Sequence, residues 1–280
     1  MASYVRPRYL DQALALLAET PRVILAGGTD YYPARVGRPL DDDLLDVTAL
    51  DSLRSIDITH NDVRIGALAT WTDLVETELP RCFDGLQLAA REVGGVQIQN
   101  AGTIIGNVCN ASPAADGTPC LLTLDAEIEL ASLDEERTMR LSEFVVGNRR
   151  TARQPNEMVT EIRIPLPGDS ARSTFLKLGA RRYLVISIVS VAAVIEPAAD
   201  GTIAQARIAV GACSETPSRL KDLEADLIGC PLTPDIGETV TMAHLSELSP
   251  IGDIRGSADY RSDAAVTLVR RALTETANAE

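Results

Sequence analysis

Hydrophobic and polar positions in the first third of the chain follow first a helical and then a strand-like spacing. Residues 10–17 carry apolar side chains on one helical face, and residues 22–25, an arginine followed by three apolar residues, are typical of a short buried strand. Residues 55–59 and 62–66 alternate apolar and polar side chains on either side of a turn, which predicts a hairpin. Residues 86–93 return to helical spacing and end at two glycines. The pattern therefore predicts mixed helix and sheet.

The pattern restarts near Gly168, where two prolines and a glycine interrupt it. Residues 126–130 and 159–165 alternate like strands before this point. After it come three strand-like runs, at residues 174–178, 186–195 and 202–210. Three helical runs follow, at residues 219–227, 235–245 and 258–273. Strands followed by helices predict an α+β layer, in which an antiparallel sheet is covered by helices on one face. We therefore expect a domain boundary at residue 168.

Composition narrows the class of protein. The chain has 280 residues, 45% of them hydrophobic, and a formal net charge of −14. Such an acidic chain should repel nucleic acid and anionic membrane surfaces. The longest apolar run, residues 184–195, contains two serines and is shorter than the roughly 20 residues of a membrane helix. With no signal peptide visible, we expect a cytoplasmic protein that neither inserts into membranes nor binds nucleic acid.

Cysteine and histidine are too few and too scattered for most metal or nucleophilic sites. The five cysteines form no C-x-x-C pair, which favours reduced thiols and argues against an iron–sulfur cluster or structural zinc on this chain. The two histidines, His60 and His244, exclude histidine-rich metal sites. Cys109 and Cys120 flank a polar motif without a histidine partner. We therefore predict no metal ligand and no catalytic nucleophile.

Two glycine-bearing turns carry the strongest functional signal. The first, residues 26–30, follows the apolar strand at residues 22–25, and a helix start is expected at Asp30. The second lies in residues 97–125, where small residues, hydroxyls and amides crowd together with few long charged side chains. Such backbone approaches a ligand closely and donates N–H groups to phosphate. The G-x-G-x-x-G and P-loop patterns are absent, so an extended dinucleotide would bind on another scaffold.

Together the two turns resemble a known family. The resemblance rests on three segments, which are the first turn at residues 26–30, Thr103 to Asn107, and residues 111–116. They are similar to the FAD-binding medium subunit of molybdenum hydroxylases, a family that includes the flavoprotein subunits of bacterial carbon monoxide dehydrogenase and xanthine dehydrogenase. Similarity in order and spacing extends over essentially the whole chain. The resemblance implies a PCMH-type FAD-binding domain at residues 1–168, with two α/β subdomains at roughly 1–55 and 56–168. The C-terminal domain of the flavoprotein subunit would then span residues 169–280.

The resemblance also implies FAD-binding roles residue by residue. The positions that match are Leu25, Ala26, Gly27, Gly28, Thr29, Asp30, Thr103, Ile104, Gly106, Asn107, Asn110, Ser112, Asp116, Val159, Lys177 and Tyr183. Residues 25–30 would wrap the diphosphate, Asp116 would bind the polyol hydroxyls, and Val159 would contact the flavin ring through its backbone.

Lys177 and Tyr183 would lie near the isoalloxazine. Other interpretations stay open: a helix N-cap for Asp116, and a strand-edge position and a partly exposed surface aromatic for Lys177 and Tyr183. The chain departs from the family's usual residues at two positions, with Ile105 in place of a glycine and Val185 in place of an acidic residue.

The function implied by the resemblance is electron relay. A large molybdopterin subunit would oxidise the substrate, a small subunit with [2Fe-2S] clusters would pass the electrons on, and FAD on this chain would deliver them to NAD, oxygen or a quinone. Two alternatives stay open at this point. One is a stand-alone FAD-dependent oxidase or dehydrogenase, and the other is an interaction subunit that has lost its flavin.

Overall fold

The computed structural model describes residues 2–278, which form three main sheets with helices packed on and between them. The strands are β1 (Tyr4–Val5), β2 (Val23–Leu25), β3 (Leu44–Asp46), β4 (Ile56–Ile58), β5 (Asp62–Gly66), β6 (Glu127–Ala131), β7 (Glu136–Arg140), β8 (Val145–Gly147), β9 (Arg150–Thr151), β10 (Met158–Pro165), β11 (Arg172–Leu178), β12 (Val189–Pro197), β13 (Ile203–Gly211) and β14 (Ser218–Arg219). The α-helices are α1 (Leu10–Glu19), α2 (Trp71–Glu76), α3 (Asp84–Glu92), α4 (Val96–Ala101), α5 (Ile104–Asn110), α6 (Gly117–Thr123), α7 (Leu141–Phe144), α8 (Lys221–Leu227) and α9 (Ala258–Asn278).

The first sheet is small and parallel, with strand order β1-β3-β2. β1 and β2 run parallel on opposite sides of β3, and α1 lies in the long connection that leads from β1 to β2. The predicted apolar face of α1 is buried, with Ala13, Leu14 and Leu17 packed into a core that also contains Leu45 and Leu50. This packing fixes the end of β2, from which the first glycine turn leaves.

The second sheet is antiparallel, with strand order β4-β5-β10-β6-β7. The predicted hairpin is confirmed by β4 and β5. Alternating residues of β5 and β10, among them Ile65 and Ile162, lie in the largest core, as expected for strands with one buried face. On the other face, Arg64 and Arg163 stand opposite each other, and both donate to Asp62, which offsets their mutual repulsion.

Asp62→Asn is expected to lower the free energy of unfolding by about 1–2 kcal/mol at pH 7. Hydrogen bonds from Thr59, Arg163 and Arg64 lower the pKa of Asp62 to about 2, from the ordinary value of 3.8. Because this pKa is depressed in the folded state, the stabilisation is present above about pH 4 and is lost as the pH falls toward 2. Urea unfolding between pH 7 and pH 2 measures it, with the exposed Asp134→Asn as control. A difference from wild type that persists unchanged at pH 2 would contradict this assignment.

The third sheet is antiparallel, with strand order β11-β12-β13-β14, and both faces of β12 are covered. Val191 and Ala193 pack with α8 and α9 in one core, whereas Ala192 and Val194 belong to the core that contains α3 and α6. The apolar run at residues 184–195 is thus explained by a strand buried on both sides. Among residues 2–278, none of the helices combines the length and the apolar character that a membrane crossing would require.

Two helices expected from the sequence do not form as α-helices. After the first glycine turn the structure has only a 3₁₀ turn, Pro33–Arg35, so the helix start expected at Asp30 is wrong. Pro33 lacks an amide donor, and Gly37 takes a positive φ of 75°, so the segment turns before a helix can propagate. The helix expected at residues 235–245 is replaced by two 3₁₀ turns, Ile236–Thr239 and Met242–Leu245. Two β-branched residues, Val240 and Thr241, lie between these turns.

Candidate functional site

The first glycine turn leaves β2 and bends sharply at Gly28. Gly28 has a φ of +67°, and a Cβ at this position would lie 2.6 Å from the ring of Tyr32. Its carbonyl accepts a hydrogen bond from the Tyr32 N–H at 3.1 Å. A side chain at Gly28 is excluded both by backbone conformation and by space. Leu25 is buried, whereas Ala26, Gly27 and Thr29 are partly exposed.

The second turn leads into α5 through Thr103. The Thr103 hydroxyl accepts a hydrogen bond from the Gly106 N–H at 3.0 Å and caps the helix. A Cβ on Gly106 would lie 2.6 Å from this hydroxyl, so the cap and the glycine depend on each other. Ile104 is fully buried, and its N–H donates to Ala69, so neither its side chain nor its amide faces a ligand.

Ile105 is accepted at the second position of α5 because its backbone is helical and its side chain points into the core. It is 4% exposed and belongs to the largest hydrophobic cluster. The departure from the family's usual glycine therefore leaves the shape of the turn intact. Two residues later, the side-chain oxygen Oδ1 of Asn107 is buried and has no hydrogen-bond partner within the described part of the chain. A buried acceptor without a partner is costly, which makes Asn107 a candidate to receive a ligand hydroxyl.

The two glycine turns touch each other. A Cβ on Gly27 would lie only 1.8 Å from the carbonyl oxygen of Ala101, and a Cβ on Gly102 would lie 3.2 Å from the hydroxyl of Thr29. Backbone therefore packs on backbone where the first turn meets the end of α4. The fold brings together two segments that lie far apart in sequence and that both carry small, polar residues.

Trp71 connects this contact to the third part of the site. Its backbone N–H donates to the Gly102 carbonyl at 3.2 Å, and its buried indole would lie 2.5 Å from a Cβ on Gly117. Gly117 is the first residue of α6, directly after Asp116. The indole thus fixes the distance between the second turn and the Asp116 carboxylate.

Asp116 holds a buried polar cluster between α6 and the third sheet. One carboxylate oxygen pairs with Nζ of Lys177 at 2.5 Å, and the other accepts from the Ser187 hydroxyl at 2.5 Å. The Asp116 and Lys177 side chains are each 7% exposed. Burial raises the pKa of Asp116, and the ammonium of Lys177 and the hydroxyl of Ser187 oppose that rise. Asp116 occupies the N-cap position of α6, but its carboxylate makes no cap hydrogen bond there.

Val159 and Ser112 lie in ordered backbone. Val159 is buried on β10, opposite Leu130 and beside an irregularity in the strand pairing. The Ser112 hydroxyl accepts from the Ala114 N–H at 3.4 Å in the loop between α5 and α6.

Tyr183 is 59% exposed on the loop that follows β11, with the Arg182 guanidinium 5.1 Å from its ring centroid. The geometry of Tyr183 is that of a surface aromatic.

Sequence reasoning missed two residues. Ser187 approaches Asp116 only because β11 and β12 pair, and a serine in an apolar run was the single hint. Arg149 lies on the hairpin of β8 and β9 and pairs with Asp30 at 2.6 Å while also donating to Asn110. No local pattern marks Arg149, because both partners are distant in sequence.

The residues present fit a flavin dinucleotide. Gly27, Gly28 and Gly102 leave no room for a Cβ against the neighbouring protein atoms, so these turns offer backbone to a ligand, which suits a diphosphate. Asn107 and Asp116 offer acceptor oxygens for polyol hydroxyls. Within residues 2–278, no three His, Cys, Asp or Glu side chains gather in a way that would hold a metal ion.

Comparisons with known proteins assign both parts of the chain to described families. Residues 1–167 match the family described as FAD binding domain in molybdopterin dehydrogenase, and residues 174–276 match the CO dehydrogenase flavoprotein C-terminal domain. The chain is 34% identical over 252 residues to the nicotinate dehydrogenase FAD-subunit of Eubacterium barkeri, covering 86% of this chain and 84% of that protein. It is 31% identical to the glyceraldehyde dehydrogenase medium chain of Sulfolobus acidocaldarius, covering 98% of each.

Solved structures show the same fold over nearly the full length. A chain of carbon monoxide dehydrogenase from Hydrogenophaga pseudoflava superposes with a TM-score of 0.86 and 27% identity, covering 97% of this chain and 96% of that one. A chain of quinoline 2-oxidoreductase from Pseudomonas putida 86 superposes with a TM-score of 0.90 and 25% identity, covering 99% of this chain and 97% of that one. The match to the FAD-binding family spans more than half of the residues. This chain therefore belongs to the family of FAD-binding subunits of molybdopterin dehydrogenases, as its two turns led us to expect.

Proposed function

We propose that this chain is the electron-transfer subunit of a heteromeric molybdenum hydroxylase. It would take electrons from a small iron–sulfur subunit, which receives them from a large molybdopterin subunit, and pass them to an external acceptor such as NAD, oxygen or a quinone. Relatives named as an FAD-subunit and as medium chains support a multi-subunit assembly. Two related solved structures are a carbon monoxide dehydrogenase that lacks the Mo-pyranopterin moiety of its molybdenum cofactor and a Cu,Mo-CO dehydrogenase.

The contact between the two glycine turns is the observation that carries this proposal. Gly27 meets Ala101 and Thr29 meets Gly102, so one ligand can touch both turns at once. Trp71 links this contact to Asp116, and Asp116 links it to Lys177 on the third sheet. The arrangement supports a cofactor that begins at the turns and extends toward β11.

In this proposal FAD supplies the ability to accept and release two electrons. Backbone at residues 25–30 binds the diphosphate, and Thr103 and Gly106 keep the second turn in shape beside it. Asn107 and Asp116 accept hydrogen bonds from the polyol. Lys177 keeps a positive charge at the flavin end, and its pairing with Asp116 fixes its position. The FAD-binding domain would be residues 1–168, and the domain that contributes Lys177 would be residues 169–280.

The two alternatives have less support. A stand-alone oxidase needs an acid, base or nucleophile beside the flavin. His60 lies in the β4–β5 turn, and His244 pairs with Asp226 at 3.1 Å in the last part of the chain. Burial raises the pKa of Cys109 to about 11 and that of Cys120 well above its usual value, so both stay protonated thiols. The alternative of a flavin-free subunit rests on Ile105. Because the side chain of Ile105 lies in the core, it leaves the second turn intact and gives this alternative little support.

The purified chain, reconstituted with FAD, tests the proposal. We expect about one flavin per chain, reduction of artificial dyes with a nicotinamide or chemical reductant, and no oxidation of aldehyde or N-heterocyclic substrates by the chain alone. Adding the molybdopterin and iron–sulfur subunits should let substrate bleach the flavin band under anaerobic conditions. Substrate oxidation by the isolated chain would favour the stand-alone oxidase, and a folded protein that takes up no FAD would favour the flavin-free subunit.

A further inference from the structure

Arg149 stands at the tip of the β8–β9 hairpin, directly beside both glycine-bearing segments. Its backbone has a φ of +58°, which is uncommon for a residue other than glycine. Its N–H donates to the Ala111 carbonyl at 2.9 Å, which fixes the hairpin tip to the end of α5. On the other side, the Asn148 N–H donates to a side-chain oxygen of Glu215 at 3.3 Å. The tip is therefore held from two directions.

The Arg149 side chain connects the first turn to the second motif. Its Nη1 atom pairs with Asp30 at 2.6 Å and also donates to the side-chain oxygen of Asn110. Both bonds use the same nitrogen, and the side chain is 53% exposed. A guanidinium has five N–H donors in a fixed plane, so Nε and Nη2 stay available to a further acceptor.

The carboxylates at the site, together with a bound diphosphate, carry more negative charge than Lys177 can balance, so a second cation is needed. The sixteen residues that the family resemblance assigns to FAD include two carboxylates, Asp30 and Asp116, and one cation, Lys177. Lys177 is buried and already paired with Asp116. A diphosphate adds further negative charge beside Asp30, which is unfavourable unless a cation is close. Arg149 is the cation that pairs with Asp30.

We propose that Arg149 binds the diphosphate of FAD, oriented for this by Asp30 and Asn110. This inference rests on the proposed function, which places the diphosphate at the contact between the two turns. Guanidinium binds phosphate oxygens through two parallel hydrogen bonds, and the two free nitrogens of Arg149 have that geometry. Asp30 then acts by holding the arginine, while the backbone of the first turn contacts the phosphate.

FAD titration of the apoprotein tests the role of Arg149. Trp71 is the only tryptophan and lies within the site, so its fluorescence reports binding independently of any activity. We expect Arg149→Gln to raise the dissociation constant for FAD at least about tenfold and to weaken its dependence on salt. Arg149→Lys keeps the charge but loses the planar fork, so its dissociation constant should lie between those of wild type and Arg149→Gln.

Arg150→Gln is the matched control, because Arg150 lies on the same hairpin, is 67% exposed and pairs with Glu215 instead. It should bind FAD like wild type. A dissociation constant for Arg149→Gln within twofold of wild type would overturn the inference. If Arg149→Gln does not fold, Arg149→Lys decides: binding at least about threefold weaker supports the role, and unchanged binding overturns it. If the wild-type chain takes up no FAD, the proposed function is wrong, and the inference about Arg149 is overturned with it.

Discussion

Gly27→Ala is expected to weaken FAD binding strongly and to lower the free energy of unfolding. The added Cβ would lie 1.8 Å from the Ala101 carbonyl oxygen, so one of the two backbones has to move by more than an ångström. Overpacking of this kind costs about 3 kcal/mol, and separation of the two turns should raise the dissociation constant for FAD by about 100-fold. Urea unfolding of the apoprotein and the flavin content of the purified protein measure the two effects.

Gly252→Ala is the control for this experiment. Gly252 is exposed, and a Cβ there would meet nothing closer than 3.7 Å, so both stability and FAD content should match wild type. Retention of stoichiometric FAD by Gly27→Ala would show that the cofactor does not depend on the contact between the two turns. The proposed site would then be wrong even if the chain still carried flavin elsewhere.

Lys177→Met is expected to lower the free energy of unfolding by about 3–5 kcal/mol, because it leaves the Asp116 carboxylate buried without its cation. The proposed flavin end of the site should also lose its positive charge, so FAD should bind more weakly. The double variant Lys177→Met, Asp116→Leu should recover much of the lost stability, since it replaces a buried ion pair by apolar side chains. It should not recover FAD affinity, because the double variant lacks the carboxylate that is proposed to accept hydrogen bonds from the polyol.

The chain offers a matched control in Lys221, its only other lysine. Lys221 is 65% exposed and pairs with Glu224 at 3.2 Å, so Lys221→Met should change stability by less than about 1 kcal/mol and leave FAD binding unchanged. Equal stability of Lys177→Met and Lys221→Met would contradict the buried pairing. Recovery of FAD affinity in the double variant would argue that Asp116 and Lys177 serve only the packing of α6 on the third sheet.

Local pattern was sufficient for most secondary structure. The apolar face of α1, the β4–β5 hairpin and the strands β11 to β13 follow from side-chain spacing, because a helix or strand buries residues at its own period. The expected helix after Gly28 did not form, since Pro33 and Gly37 acted over a few residues against propagation. The expected helix at residues 235–245 gave way to two 3₁₀ turns for a similarly local reason.

Several features of the site had no local signal. Ser187 meets Asp116 only after β11 and β12 pair, and Arg149 meets Asp30 only after the β8–β9 hairpin packs beside both turns. That the Asn107 side-chain oxygen finds no hydrogen-bond partner among residues 2–278 is visible only once the neighbours of α5 are known. These relations depend on which surfaces pack together, and the residues involved carry no pattern that predicts a partner.

The amino-acid sequence alone determined the α+β class, the two glycine-bearing turns and the family to which the chain belongs, because these depend on residue type and short-range spacing. Only the tertiary structure decided that Gly27 packs on Ala101, that Lys177 neutralises Asp116 out of water, and that Arg149 joins the two turns. Their physical basis is burial and charge pairing between segments far apart along the chain, whose energies exist only after the three cores have formed.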